Sequence, residues 1–285
     1  MDYFILLVQK ASDQSTLSLS QWIRYNTSSL VVVFIHGFPE IWYSWRHQMM
    51  AVANGGYHAI APDLRGYGLS EHHPDLERAS FYDFVEDTIA ILDYFQIEKA
   101  FLVGKDFGSW PVYLLSLLHP TRISGIVSLR VPFFPPRPLR YKDLPEGFYI
   151  NRWKEPGRAE ADFSRFDVRT VWRNIYILFS RNEIPIADKD KEIMDLVDPS
   201  TPLPSWLSSE DLAIYAKSGF DSPMRAPYRG PRKEFTIRNP KVQAPVLTNY
   251  EIKTLPEGTH FVQEQFPDQG KPANHRLPRE TAWLS

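Results

Sequence analysis

An α/β fold with a mostly parallel sheet, helices on both faces and an inserted helical lid is predicted from three observations. Short apolar runs alternate with segments of helical periodicity through residues 1–130. Strands alternating with helices in this way build parallel sheets. A proline-rich, aperiodic stretch follows, and the next block reads as helices alone.

The strands come first in the argument. "LVVVFIH" (30–36) is an unbroken β-branched run, the pattern of a strand buried on both faces. "WRHQMMAVANGG" reads as a helix stopped at Gly55-Gly56, and "YHAIAPD" (57–63) as a second strand. "FYDFVEDTIAILDYF" (81–95) carries Phe84, Val85, Ile89, Ile91 and Leu92 at helical spacing. "KAFLVG" (99–104) is a third strand, "WPVYLLSLLH" a helix, and "ISGIVSL" (123–129) a fourth strand. "RVPFFPPRPLRYKDLPEGF" (130–148) breaks the rhythm. Beyond it "EADFSRF", "VRTVWRNIYILFS" and "SSEDLAIYA" read as helices, the last with Ser208 and Asp211 at capping-box spacing. Strand character returns in "VQAPVL" (242–247) and "YEIKTLP" (250–256). The expected division is therefore a first core part at 1–130, a lid at 131–235 and a second, incomplete core part at 236–285.

Composition narrows the chemistry. The chain has 285 residues, near the ~250–300 at which one core stops growing. Its net charge of -2 makes no electrostatic case for nucleic acid, and the absence of Cys excludes thiol catalysis and disulfides. No apolar run approaches the ~18 residues of a membrane span, and "MDYFILLVQKASD" lacks the basic start and long apolar core of a signal peptide. A soluble, cytoplasmic protein is expected.

"VGKDFGSW" (103–110) carries the strongest chemical signal. Gly104 and Gly108 flank Asp106 by two positions each, the frame of a strand-to-helix nucleophile elbow. Where a Ser would need a base, a carboxylate with a reference pKa of ~3.9 is already ionised at pH 7. It attacks amides poorly; its natural target is an sp3 carbon with a strained or good leaving group, giving an ester. The competing reading is that Asp106 only caps the next helix. "HGFP" (36–39) follows the first strand where an oxyanion N–H would be supplied, and "DLRGYGLS" (63–70) follows the second. "PEGTHFVQEQFP" (256–267) puts His260 last in the order nucleophile, acid, His and just past a strand, where a base belongs.

Together these stretches resemble the plant soluble epoxide hydrolases of the α/β-hydrolase superfamily, over roughly residues 30–267. "HGFPEIWYSWRHQM", "DLRGYGLS" and "VGKDFGSW" carry the resemblance in the core. "FYINRWKEPGRAEADF" and "SGFDSPMRAPYRG" resemble the segments that bear that family's lid tyrosines. The resemblance implies an α/β-hydrolase fold with a lid. It implies Asp106 as nucleophile, Tyr149 and Tyr228 as acids for the opening epoxide, and His260 as base. The backbone N–H groups of Phe38 and Phe107 would form the oxyanion hole. The implied substrates are a small apolar epoxide and water, with no cofactor and no metal.

One part of the family pattern is missing. The triad acid should lie in a crossover after "VQAPVL", yet only Thr248 separates that run from "NYEIKTLP". A crossover between parallel strands needs ~10–12 residues. Glu251 and Glu257 do not occupy the acid's place. "PDQGKPANHRLPRETAWLS", with Gly270, Pro272 and Pro278, cannot form the family's long closing helix, and "ASDQSTLSLSQWIRY" poorly matches its opening hairpin. A truncated, alternatively spliced or engineered form, or an imperfect gene assembly, is expected, with impaired turnover. Two other readings stand beside it. A haloalkane or haloacid dehalogenase shares the Asp elbow, but often has Trp where Phe107 stands. A non-catalytic relative would keep the pocket as a ligand site or as an inactive remnant.

Overall fold

The computed structural model describes residues 30–68, 70, 80–131, 144–181, 183–184, 186–218 and 257–267. Four strands form one parallel sheet: β1 Val31–Ile35, β2 His58–Ile60, β3 Ala100–Lys105 and β4 Ile123–Leu129, in the order β2-β1-β3-β4. Three helices make the crossovers: α1 Arg46–Asn54, α2 Phe81–Tyr94 and α3 Ser109–Leu118. The second strand is shorter than its apolar run suggested, because Ala61–Leu64 leave the ladder as a loop that is buried nonetheless.

Every residue of β1 is buried, as its β-branched run requires of a central strand. Its side chains alternate between two cores. Val32 and Phe34 face Trp45, Met49 and Val52 from α1 and the turn before it. Val31, Val33 and Ile35 face Val85, Ile91 and Leu92 of α2 and Val112, Leu114 and Leu115 of α3. Helices thus cover both faces. The start of α2 is closed by a capping box, in which Ser80 N–H donates to Asp83 Oδ2 at 2.6 Å.

The helical segment after β4 comprises α4 Tyr149–Trp153, α5 Arg158–Phe163, α6 Val168–Phe179 and α7 Ser209–Ser218. Asp167 caps α6 by accepting from the Thr170 N–H at 3.0 Å, and the Ser208–Asp211 pairing read from the sequence caps α7. Trp153, Phe163, Trp172, Tyr176 and Phe179 belong to the same apolar core as Val33 and Leu102 of the sheet. A short helix α8, Val262–Gln265, had no signal in the sequence beyond its position after His260. The two further strand candidates, at 242–247 and 250–256, lie outside the described residues, as do the missing crossover and most of the Gly- and Pro-rich tail. No described helix is long and apolar enough to cross a membrane.

The sheet order locates a site. From β1 the chain moves outward to β2, then returns across β1 to β3. The carboxyl ends of β1 and β3 therefore diverge at a topological switch point, the crevice where open α/β sheets bind ligands. The elbow after β3 fits there through two glycines. A Cβ on Gly104 would lie 2.5 Å from the Gly108 carbonyl oxygen, and one on Gly108 would collide with the Ile35 and His36 carbonyls. Substituting Gly108→Ala is expected to cost about 3 kcal/mol, since backbone must move on both strands. Urea denaturation followed by circular dichroism measures the loss.

Candidate active site

Asp106 begins the turn between β3 and α3 with φ of +51°. A left-handed non-glycine residue costs about 1–3 kcal/mol, so the surrounding structure must enforce it. What enforces it is the close seat of Gly104 and Gly108 against β1 and α3. The consequence is that the side chain is turned back over the end of the sheet instead of along α3. The Phe38 N–H donates to Asp106 Oδ2 at 2.9 Å, and the Phe107 backbone N–H also bonds the carboxylate. The cap of α3 is Gly108, with no side-chain capping bond, which removes the helix-cap reading of Asp106.

Burial pushes the Asp106 carboxyl up to about 6. Lys105 and the N–H groups of Phe107 and Phe38 pull the other way, and Glu40 adds to the rise. The group remains mostly ionised at pH 7 and partly solvent-accessible. Tyr67, from the loop after β2, is buried nearby, and the Asp106 charge helps keep its hydroxyl protonated. His36 anchors the oxyanion-side loop. Its Nδ1 lies 2.9 Å from the Gly37 carbonyl and its Nε2 accepts from the Leu64 N–H at 2.9 Å. One nitrogen donates and one accepts, so the ring is neutral; burial lowers it to about 4.

His260 lies between core and helical segment. Its backbone N–H donates to the Phe179 carbonyl at 3.4 Å, and its ring lies 5.5 Å from the Phe179 ring. The Nε2 atom has no hydrogen-bond partner among the described residues. Burial first, then the charges of Lys105 and Arg130, hold the imidazole well below its usual range, opposed by a backbone hydrogen bond at Phe38. Tyr149 opens α4 and meets Phe179 edge-on at 4.9 Å and Trp153 at 5.5 Å. Trp153 in turn touches Phe38, with ring centroids 5.9 Å apart. The structure thus gathers Asp106, Phe38, Phe107, His260 and Tyr149 around the carboxyl ends of β1 and β3. Tyr228 lies outside the described residues.

Residues 31–182 match the family described as alpha/beta hydrolase fold. Among curated relatives, Epoxide hydrolase 2 of Siraitia grosvenorii is 37% identical over 216 residues, covering 72% of this chain and 68% of the relative. Epoxide hydrolase A of Mycobacterium tuberculosis is 36% identical over 65% of this chain and 61% of its own length. An epoxide hydrolase from Vigna radiata superposes with a TM-score of 0.63 at 38% identity, covering 70% of this chain and 65% of that one. The chain belongs to the epoxide hydrolase family of α/β hydrolases. It spans about two thirds of the length of these relatives.

Sequence reading missed several polar residues that surround this epoxide hydrolase-family site. Glu40 and Lys105 form an ion pair of 2.8 Å with neither side chain exposed. Arg46 holds Glu264 of α8 at 2.6 Å and Asp211 of α7 at 3.2 Å, and the Tyr43 hydroxyl donates to Asp211 at 2.8 Å. One usable signal was present: charged residues inside or beside apolar runs, as in "AFLVGK", are almost never buried unless paired. Burial pushes the Glu264 carboxyl up to about 7 despite the pull of Arg46. Arg46→Ala leaves that carboxyl without its cation and is expected to cost about 3–5 kcal/mol. The raised carboxyl stabilises the fold only while protonated, so the loss should be larger at pH 8 than at pH 5. Denaturant melts of both proteins at the two pH values check this.

Proposed function

We propose that this chain opens a small apolar epoxide through an ester on Asp106, and that water then releases a vicinal diol. The observation that carries the reading is the Asp106 carboxylate at the switch point, with one oxygen bonded by the Phe38 N–H. The other oxygen attacks an epoxide carbon. The C–O bond of the ring breaks as the ester bond forms, and the alkoxide takes a proton from Tyr149, assisted by Tyr228. Oδ2 becomes the ester carbonyl oxygen, already seated against the donors it needs. When water deprotonated by His260 adds to the ester carbon, charge develops on that same oxygen and the Phe38 and Phe107 N–H groups stabilise it. Collapse breaks the ester, the leaving alkoxide takes the proton held by His260 and departs as the diol, and the proton left on Asp106 returns to Tyr149, restoring the carboxylate. Residues 131–235 would act as a lid that supplies the tyrosines and excludes water from the first step.

The second half-reaction is the weaker one. A base His needs a carboxylate to hold its tautomer and orientation, and loss of that group costs ~10⁴ in a serine protease. In this chain Thr248 alone stands where the acid-bearing crossover would be. The ester should therefore accumulate. A dehalogenase reading is less well supported, because Phe107 offers no side-chain donor to a halide and Tyr149 suits an alkoxide.

Intact-mass spectrometry after incubation with styrene oxide tests the reading. The expected result is a mass gain of one substrate, located by peptide mapping to Asp106 and absent in Asp106→Asn. Fast diol release with no adduct would refute the impaired second step. Neither adduct nor diol would refute the function. Tyr149→Phe should slow ester formation by about 10²-fold. Ester formation should also fall as pH drops through about 6, where Asp106 takes up its proton. Stopped samples across pH 4.5–8 give that profile.

A further inference from the structure

Three pieces of backbone must hold their places for the proposed chemistry: the Phe38 loop, the Asp106 elbow and the His260 segment. Each contributes a buried residue to one cluster. Glu40, two positions after Phe38, pairs its Oε2 with Lys105 Nζ at 2.8 Å. Lys105 immediately precedes Asp106, and its ammonium stands 4.8 Å above the ring centre of Phe261. Phe261 immediately follows His260. The second carboxylate oxygen of Glu40 accepts from Gln263 Nε2 at 2.6 Å, and the Gln263 carbonyl accepts from Gln48 Nε2 of α1 at 2.7 Å. The side chains of Glu40 and Lys105 have no exposed surface.

Ions are expensive to bury, and a buried ammonium on a strand is worth keeping only if its charge or its reach is used. Here both point to the His260 segment. The Phe261 ring lies under the cation, and it stacks with Tyr176 at 4.2 Å and an interplanar angle of 12°. We propose that Lys105 is a positioning residue of this site: paired with Glu40 and seated on Phe261, it fixes the His260 segment against the nucleophile elbow. The role rests on the assignment of Asp106 and His260 above. The pair touches the segment at two points, Phe261 and Gln263, and its ammonium also acts on the segment through its charge; none of these depends on a crossover acid. It therefore places the imidazole without fixing its tautomer.

The charge also acts on the ring. Lys105 and Arg130 both disfavour its protonation, while a Phe38 backbone hydrogen bond favours it. The Phe179 and Phe261 rings flank it at 5.5 and 5.1 Å.

The test is nuclear magnetic resonance of the His260 Cε1–H, assigned with His260→Gln and titrated in the full chain. Wild type is compared with Lys105→Met, Lys105→Arg and the double variant Lys105→Met/Glu40→Gln, which removes both buried charges together. The imidazole midpoint should move up in the two Met variants, as expected on removing a nearby like charge. Lys105→Arg should keep the wild-type midpoint. A role confined to stability would change the unfolding midpoint and leave the titration in place, and that result overturns the proposal. Should the Met variants fail to fold, Phe261→Leu keeps the ion pair and removes only the ring beneath it. It must then give the upward shift, and no shift overturns the proposal. Ester formation on Asp106 is scored in the same samples. Its absence from wild type refutes the proposed function, while the titration still decides the role of Lys105.

Discussion

The hydrogen bond from the Phe38 N–H to Asp106 Oδ2 joins the carboxyl ends of two neighbouring parallel strands. Everything around it follows from making that contact short. The elbow must approach the β1 end closely, so Gly108 has no room for a side chain. Asp106 must turn back, so its φ is positive. The loop after β1 must present an N–H, so His36 is locked between the Gly37 carbonyl and the Leu64 N–H. A strained residue persists when its neighbours over-determine it, and here the Gly104–Gly108 frame and the loop after β1 do so.

The same closeness explains the concentration of buried charge. A carboxylate drawn partly out of water holds its proton more tightly, and compensating positive charge and N–H dipoles restrain that rise. Lys105 supplies the charge from the back of the elbow, and Glu40 neutralises Lys105 in turn. Arg46 plays a comparable part farther out, tying α8 and α7 to α1 through Glu264 and Asp211. The helical segment and the His260 segment are therefore held to α1 by ion pairs as well as by the shared apolar core. Buried pairs contribute little net stability over apolar packing, but they penalise any displacement that separates them.

Much of this was legible in the residues. β1 and β4 lie within the apolar runs that predicted them, and the Ser208–Asp211 capping pair follows a rule that acts within one turn. Asp106 stood out because its glycine frame is local. Glu40, Lys105 and Gln263 did not, because their relation is across 65 and 223 positions of sequence and no periodicity records it. The brevity of β2 was also hidden: Ala61 is wholly buried, so it reads as strand, yet it is covered by the α1 side of the sheet without a ladder partner.

By itself the sequence determined the α/β class and the glycine frame around Asp106, since each depends on neighbours a few positions apart. The expectation of an interruption at Thr248 belongs to that level too, because it was read from chain length alone. Only the tertiary structure decided that Asp106 faces the Phe38 N–H instead of capping α3. It alone decided that His260 is carried on a segment anchored to Glu40, Gln48 and Arg46. The reason is physical: the direction of a side chain and the partner of a buried charge depend on which surfaces meet, and the folded chain brings together segments more than 200 positions apart.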